Sequence, residues 1–283
     1  MFTQILIEGI INGSIIALVA IGVSLIWGVM NILNFAQGEF LMIGMYVAFF
    51  MNKLFGWDPI ATLPVAASTL FVIGYLIYKS MISRVLKGPM LSQRLLTFGL
   101  SMVLLNLALM LFGGEYRTVS NLMFTGTTTI LGAKVSIAKL VPFVTCIILA
   151  VALWLFVNKT RVGKAIKATS MNRDAASLVG IDSERSFALA FALSAAVTGA
   201  AGCILTYYYY VFPGVGQTFQ LFGFIAVAMG GFGSIIGALL GGIIMGIVDT
   251  SAGVMVSPAF KYLAVCISYV VIVSVRPKGL FGR

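Results

Sequence analysis

The chain has 283 residues, 60% of them hydrophobic and only 9% charged, with a mean hydropathy of +1.09. A soluble domain is closer to half apolar and a quarter charged, so this composition excludes an ordinary soluble protein and predicts one polytopic membrane domain over residues 1–283. The net charge of +10 is read as a topology signal rather than a nucleic-acid footprint, because cytoplasmic loops of membrane proteins collect Lys and Arg.

The N-terminal "MFTQILIEG" has no basic region and carries Glu8, so the first apolar run is expected to remain as a membrane helix rather than a cleaved signal. Apolar runs follow at 9–29, 39–52, 60–78, 95–112, 140–157, 186–209, 220–249 and 259–275. A straight span needs about 20 apolar residues. The 39–52 run is short by that measure. The 220–249 run is too long for one helix and is interrupted by "GGFGS" at 230–234, which reads as two segments meeting at Gly230–Gly233. The fold class is therefore all-α, with eight or nine transmembrane segments, some of them broken or re-entrant.

Between the first two runs lies "NILNFAQGE", where Asn31, Asn34, Gln37 and Glu39 cluster. Polar and ionisable groups in a membrane interior are costly and tend to face cavities, and broken helices at such places often form solute paths in transporters. The alternative is a wet turn whose Asn and Gln cap helix ends. Glu39 either serves as an acid at the start of the next helix or lines a gate.

The loops give an orientation. Lys79, Arg84, Lys87 and Arg94 lie between two runs with no acid among them; Arg276, Lys278 and Arg283 follow the last run. These regions, and 159–185, are expected in the cytoplasm. The 113–139 loop mixes Glu115, Arg117, Lys134 and Lys139 and is expected outside. An external N-terminus and a cytoplasmic C-terminus require an odd number of crossings, which 220–249 supplies by crossing twice; the alternative is a re-entrant hairpin there that never fully crosses. Within the external loop, "TTTILGAKVSI" (127–137) alternates around Gly132-Ala133 and predicts a short β-hairpin. "YYYYVF" (207–212) is read as interfacial anchoring ahead of a solute contact.

The 159–185 stretch is a charged island with Lys159, Arg161, Lys164, Lys167, Arg173 and Arg185. A wheel at 100° per residue places Met171, Ala175 and Leu178 on one face and Arg173, Ser177 and Gly180 opposite. Such a helix either lies on the membrane surface, fits a partner's groove, or is a solvated loop carrying topology signals. Further on, Gly233, Gly237 and Gly241 recur every four residues beside Ser234, Ala238, Gly242 and Gly246, and Ala188, Ala192, Ala196 and Ala200 make a similar row. Small residues at this spacing let membrane helices approach closely, so these rows are assigned to packing.

The chain has no His, and its three cysteines, Cys146, Cys203 and Cys266, lie within apolar runs. A zinc site is thus not expected, and eight scattered acids without a His make an intramembrane enzyme improbable. "GFGSIIG" lacks the dinucleotide-binding spacing and context, and no GxxxxGK[ST] loop occurs, so no nucleotide site is expected in this chain. An ion-coupled transporter would have to use Glu8, Glu39 or Asp249.

"DAASLVG" (174–180) resembles the EAA loop of ABC importer permeases, with Asp174 in place of the usual Glu. "GSIIALVAIGVSLIWGVMNILNFAQGEFLMIGMYVAF" (13–49), "TFGLSMVLLNLALMLFGGEYRTV" (97–119), "AMGGFGSIIGALLGGIIMGIVDT" (228–250) and "VRPKGLFG" (275–282) resemble, in order, blocks of the Liv-type permeases for branched-chain amino acids, and of their smaller, LivH-like subunit. The family's "FAHGE" reads "FAQGE" here (35–39), so no role for a histidine carries over. The resemblance implies a permease in the bacterial cytoplasmic membrane, without catalytic residues, cofactor or metal of its own. ATP and Mg would be bound by two cytoplasmic ATPase subunits, and a second homologous permease and an external solute-binding protein would complete the importer. It implies that 159–185 is the coupling segment, gripping the ATPase through Met171, Arg173, Asp174, Ala175, Ala176, Leu178 and Gly180. It favours a solute path at Asn31, Asn34, Gln37 and Glu39, while Gly233, Gly237, Gly241, Gly242 and Gly246 stay with helix packing. Related permeases carry other small polar solutes such as urea or amides, so the solute class is less sharply implied than the transport role.

Overall fold

A computed structural model describes residues 2–86, 88–120, 122–130, 132–277 and 279–281. Lys87, Lys278 and Arg283, three of the orientation signals, lie outside the described residues. In chain order the elements are α1 (Phe2–Met30), α2 (Gln37–Phe55), α3 (Pro59–Ile77), which runs through a π turn (Tyr78–Ile82) into α4 (Ser83–Val85), and α5 (Met90–Phe112). Then come β1 (Thr127–Ile130), β2 (Ala133–Ser136), α6 (Ile137–Lys159), α7 (Arg161–Met171), α8 (Arg173–Leu178), α9 (Ser183–Leu205), α10 (Val215–Gly230), α11 (Ile235–Met255), and α12 (Lys261–Val275) after a 3₁₀ turn (Pro258–Phe260). Eight of these helical stretches are long and apolar enough to cross a membrane; α10 is a shorter apolar helix. The only sheet among the described residues is the antiparallel β1–β2 pair, with Thr127 opposite Ser136 and Ile130 opposite Ala133.

A helix that is apolar all round belongs inside a bundle, and α1 is such a helix: Ile15 to Ile26 are all buried. It lies against α11, and the small residues explain how close the two come. A Cβ at Gly9 would stand 2.7 Å from the Ile247 Cα, and one at Gly13 would stand 2.7 Å from the Gly242 carbonyl oxygen. Gly242 and Gly246 answer from α11, backed against Ala17 and Gly13. The other row, Gly237 and Gly241, faces α10 through Gly230 and Ala226. Gly233 departs from the expected ridge. It precedes α11, in the 231–234 turn, with φ +79°, a conformation that disfavours any side chain. It belongs to the turn and meets Gly28 there, 3.3 Å from where its own Cβ would be.

Helix α9 is the second pillar. Its alanine row is buried, and a Cβ at Gly74 of α3 would come 2.7 Å from the Ala195 Cβ. At the periphery, α5 and α12 turn Phe98, Met110, Leu111, Leu263 and Val270 outward. In water such a surface would associate; in a bilayer it is solvated by acyl chains.

The two ends of the bundle differ. At one, Lys139 of α6 pairs with Glu8 of α1 at 3.6 Å, the β-hairpin stands beside them, and Arg117 and Val211 exchange backbone hydrogen bonds of 2.9 and 2.8 Å. At the other, Gly28 meets Gly233, and the C-terminal stretch returns so that the Leu280 and Phe281 amides donate to the Met229 and Gly230 carbonyls at 2.9 Å. The second end carries Lys159, Arg161, Lys164, Lys167, Arg173 and Arg276.

Helices α2 and α10 begin inside the bundle rather than at either end. Residues 31–36 turn back from α1, starting at Asn31 with φ +58°. Leu33 accepts a hydrogen bond from the Thr97 hydroxyl at 3.1 Å, and the Phe35 ring sits edge-on to Phe98 and Phe224, 6.3 and 5.4 Å between centroids. Helix α10 has 16 residues, about 24 Å of helix against a hydrocarbon core of about 30 Å; the remaining distance is covered by residues 206–214. The long 220–249 run is thus two antiparallel helices joined by a turn at 231–234.

Candidate functional site

Three places in the fold gather polar chemistry: the 31–39 segment, the 159–185 segment, and a cavity between them.

The four polar residues of 31–39 do not act as one group. Asn31 is exposed. Asn34, Gln37 and Glu39 are buried to 1%, 0% and 0% exposure, so this is not a wet turn. Asn34 accepts from the Ala36 amide at 3.1 Å and donates through Nδ2 to Gln37 Oε1 at 3.1 Å. Gln37 reaches α9, donating to Ser194 Oγ at 2.9 Å and to the Thr198 hydroxyl; Ser194 in turn donates to the Gly22 carbonyl of α1 at 2.7 Å. One amide therefore ties three helices together in a setting where an unpaired polar group is costly. Glu39 sits in the first turn of α2, and its Oε1 accepts from Ser101 of α5 at 3.1 Å. Its Oε2 has no partner among the described residues and lies beside the start of α10, 3.1 Å from where a Gly216 Cβ would stand. Gly38 and Gly216 touch backbone to backbone, and the Gly38 amide donates to Gln220 Oε1 at 3.2 Å. Two helix N-termini thus meet at depth around one carboxylate.

The island at 159–185 is not one continuous helix. It breaks at Asn172, whose φ of −157° is extended and whose Oδ1 accepts from the Ala175 amide at 3.0 Å, capping α8. The wheel that put Met171 in phase with Ala175 and Leu178 therefore does not hold, since Met171 ends α7 and the others belong to α8. Met171 and Leu178 are 82% and 88% exposed, and Asp174 and Ala175 are exposed as well. Ala176 points the other way and is buried at 3%. The Arg173 guanidinium lies over the Phe187 ring of α9 at 5.4 Å, so it fastens α8 to its own bundle. Gly180 closes α8 with φ +82°. Two caps flank the segment: Thr160 accepts from the Gly163 amide and Asp182 from the Arg185 amide, each at 3.0 Å.

A cavity of about 1010 Å³ is lined by α7, the ends of α1 and α6 and the start of α11. Asn31, Trp27, Asn158 and Lys167 stand on its wall, none of them but Asn31 singled out as a site from sequence. Their clustering brings the end of α1 to the α6–α7 corner, far from it in the chain, and no local motif announces it.

At the hairpin end, Asp58 gathers three segments. It accepts from the Ile60 amide at 2.9 Å as the cap of α3, from the Met123 amide at 2.8 Å, and from the Tyr207 hydroxyl. Burial, and then the bond to Asp58, hold the Tyr207 phenol well above the usual tyrosine range. The tyrosine run is accordingly split in role: Tyr207 is buried and structural, whereas Tyr210 is 57% exposed. Among the described residues no group of three or more Cys, Asp or Glu side chains is placed to hold a metal ion.

Comparison with known proteins matches residues 5–275 to the family described as branched-chain amino acid transport system / permease component. The chain is 28% identical over 295 aligned residues to the high-affinity branched-chain amino acid transport system permease protein BraD of Pseudomonas aeruginosa, covering 100% of this chain and 96% of the relative. It is 30% identical, with the same coverage, to LivH of Escherichia coli K12, which carries the same description. It is also 32% identical over 272 residues to the probable branched-chain amino acid transport permease protein LivH of Methanocaldococcus jannaschii, covering 91% and 83%. No solved structure matches the chain.

Proposed function

The chain belongs to the branched-chain amino acid transport system permease family, and on that premise we propose that it is the membrane permease subunit of an ATP-binding cassette importer. It carries branched-chain amino acids inward across a bacterial cytoplasmic membrane. Two cytoplasmic ATPases bind ATP and Mg, a second, homologous permease completes the membrane part, and an external solute-binding protein delivers the solute. The chain itself performs no covalent chemistry and holds no cofactor.

The observation that best supports this reading is the α7–α8 segment. Met171, Leu178 and Val179 stand exposed at the basic end, while Arg173 and Ala176 anchor the segment to α9 from beneath. An apolar rim on a rigid base suits docking into a partner's groove. A pull on α8 passes through Phe187 into α9 and, by way of Ser194 and Thr198, reaches Gln37 at the start of α2. Rigid-body movement of α2 against α10 would part Gly38 from Gly216 and open the polar segment, with Glu39 in it, as the solute path.

The test is co-purification of the ATPases, then solute-stimulated ATP hydrolysis in liposomes. Leu178→Glu and Ala175→Glu place a charge in the groove and are expected to detach the ATPases or uncouple them, without loss of membrane insertion. Full coupled transport by both variants would reduce the island to a topology signal. Glu39→Gln is expected to lower uptake at least about tenfold while ATPase binding persists. Uptake equal to wild type would remove Glu39 from the path.

A further inference from the structure

The cavity at the basic end is not needed for docking an ATPase, which the outward face of α8 serves, and it is separate from the closed Gly38–Gly216 joint. We propose that it is a binding site for an anionic phospholipid, wedged between the coupling segment and the transmembrane bundle.

The size comes first. About 1010 Å³ is at the top of the range for a drug-sized ligand and far larger than one small amino acid, so it calls for an extended molecule. The wall is amphipathic in a defined way. Leu25, Val157 and Ile235 are apolar, and Trp27 and Phe232 close one side with ring centroids 4.8 Å apart. Trp154 and Ile236, 39% and 55% exposed, lie at the rim. The apolar half is thus continuous with the outer, bilayer-facing surface of α6 and α11. The polar half lies toward α7. Lys167 Nζ donates to Asn158 Oδ1 at 3.4 Å, and no carboxylate lies within salt-bridge distance of it among the described residues. Lys159, Arg161 and Lys164 add positive potential on the same end. Deeper in, Ser24 is on the cavity wall, with its hydroxyl buried beneath the surface and without a hydrogen-bond partner among the described residues. A phosphate and ester oxygens offer acceptors to the Lys167 ammonium, and the acyl chains fill the apolar half. Basic pockets between transmembrane helices on the cytoplasmic side are where anionic head groups bind.

The consequence is regulatory. Lipid in this cavity braces α7 against α1, α6 and α11, so the coupling segment moves with the bundle rather than independently of it. The experiment uses the purified full chain with whatever subunits it carries, in nanodiscs of phosphatidylcholine with or without phosphatidylglycerol, followed by native mass spectrometry. Wild type is expected to retain phosphatidylglycerol in preference to phosphatidylcholine. Lys167→Gln is expected to reduce that retention about fivefold, the weight of one basic residue at a membrane surface. Lys167→Arg should restore it, and Ser170→Trp, which intrudes from α7, should abolish it. A photoreactive residue at 158, on the cavity wall, should yield a lipid adduct. Equal retention of both lipids, equal retention by Lys167→Gln, a crosslink to a second permease in place of lipid, or release of the lipid by added leucine would each overturn the proposal. None of these readouts depends on transport, so they stand or fall apart from the importer reading.

Discussion

At the scale of single residues, polar side chains in this fold hold helices more than they face solvent. Asp58 is an example: one carboxylate caps α3 and fastens both the 113–126 loop and the end of α9. Tyr207→Phe removes one bond to an ionised acceptor and is expected to lower stability by about 1.5–3 kcal/mol, read as a fall in the thermal midpoint in detergent. Asp58→Ala removes all three bonds and should cost more. The phenol's raised pKa also has a sign. The neutral, donating form is favoured on folding, so its contribution is full below about pH 10, the unfolded value, and is lost only as pH rises from there toward the folded one. Stability near neutral pH should therefore not depend on it. Gln37→Leu leaves Asn34 Nδ2 and the Thr198 hydroxyl without their partner and is expected to cost about 1–3 kcal/mol for each group left unpaired.

At the scale of elements, the small-residue rows decide how the bundle closes. Gly242→Leu would drive a side chain into the backbone of Ala17, where even a methyl group has no room. A loss of more than about 3 kcal/mol is expected, with aggregation on extraction from the membrane, because neither helix backbone can yield. Gly99, with nothing within 4 Å of its Cβ position, is the control: Gly99→Leu should fold normally. The rows were readable from their spacing, as were the spans, since hydropathy follows directly from residue type. The break at Asn172 was hidden because Met171 and Leu178 continue an apolar period across it; the capping geometry, not the period, ends α7. The inner starts of α2 and α10 were also hidden. They depend on contacts between Gly38 and Gly216, far apart in the chain, and nothing local distinguishes an Asn or Gln that caps a wet turn from one that ties three helices. The cavity was out of reach for the same reason, because α1, α6, α7 and α11 supply one wall each.

At the scale of the whole molecule, the charged loops sort onto two ends of the bundle. The pairing of Glu8 with Lys139 puts the start of α1 beside the hairpin, and the bonds from Leu280 and Phe281 to Met229 and Gly230 put the chain's last described residues at the other end. An odd number of passages follows, with α10 as the short one. The end that carries Lys159, Arg161, Lys164 and Lys167 is set against one that mixes Glu8, Asp58 and Asp249 with Lys134 and Lys139. Translocation across a bilayer is biased against Lys and Arg in short loops, so the first end is expected in the cytoplasm and the hairpin outside. Lys134 and Lys164 are both exposed, which makes them fair probes. In a background with Cys146, Cys203 and Cys266 replaced, Lys134→Cys should react with a membrane-impermeant maleimide on intact cells, and Lys164→Cys should react only after the membrane is opened. The reverse pattern would place α8 on the wrong side for any cytoplasmic ATPase, and the importer reading would fall with it, however well the individual helices are packed.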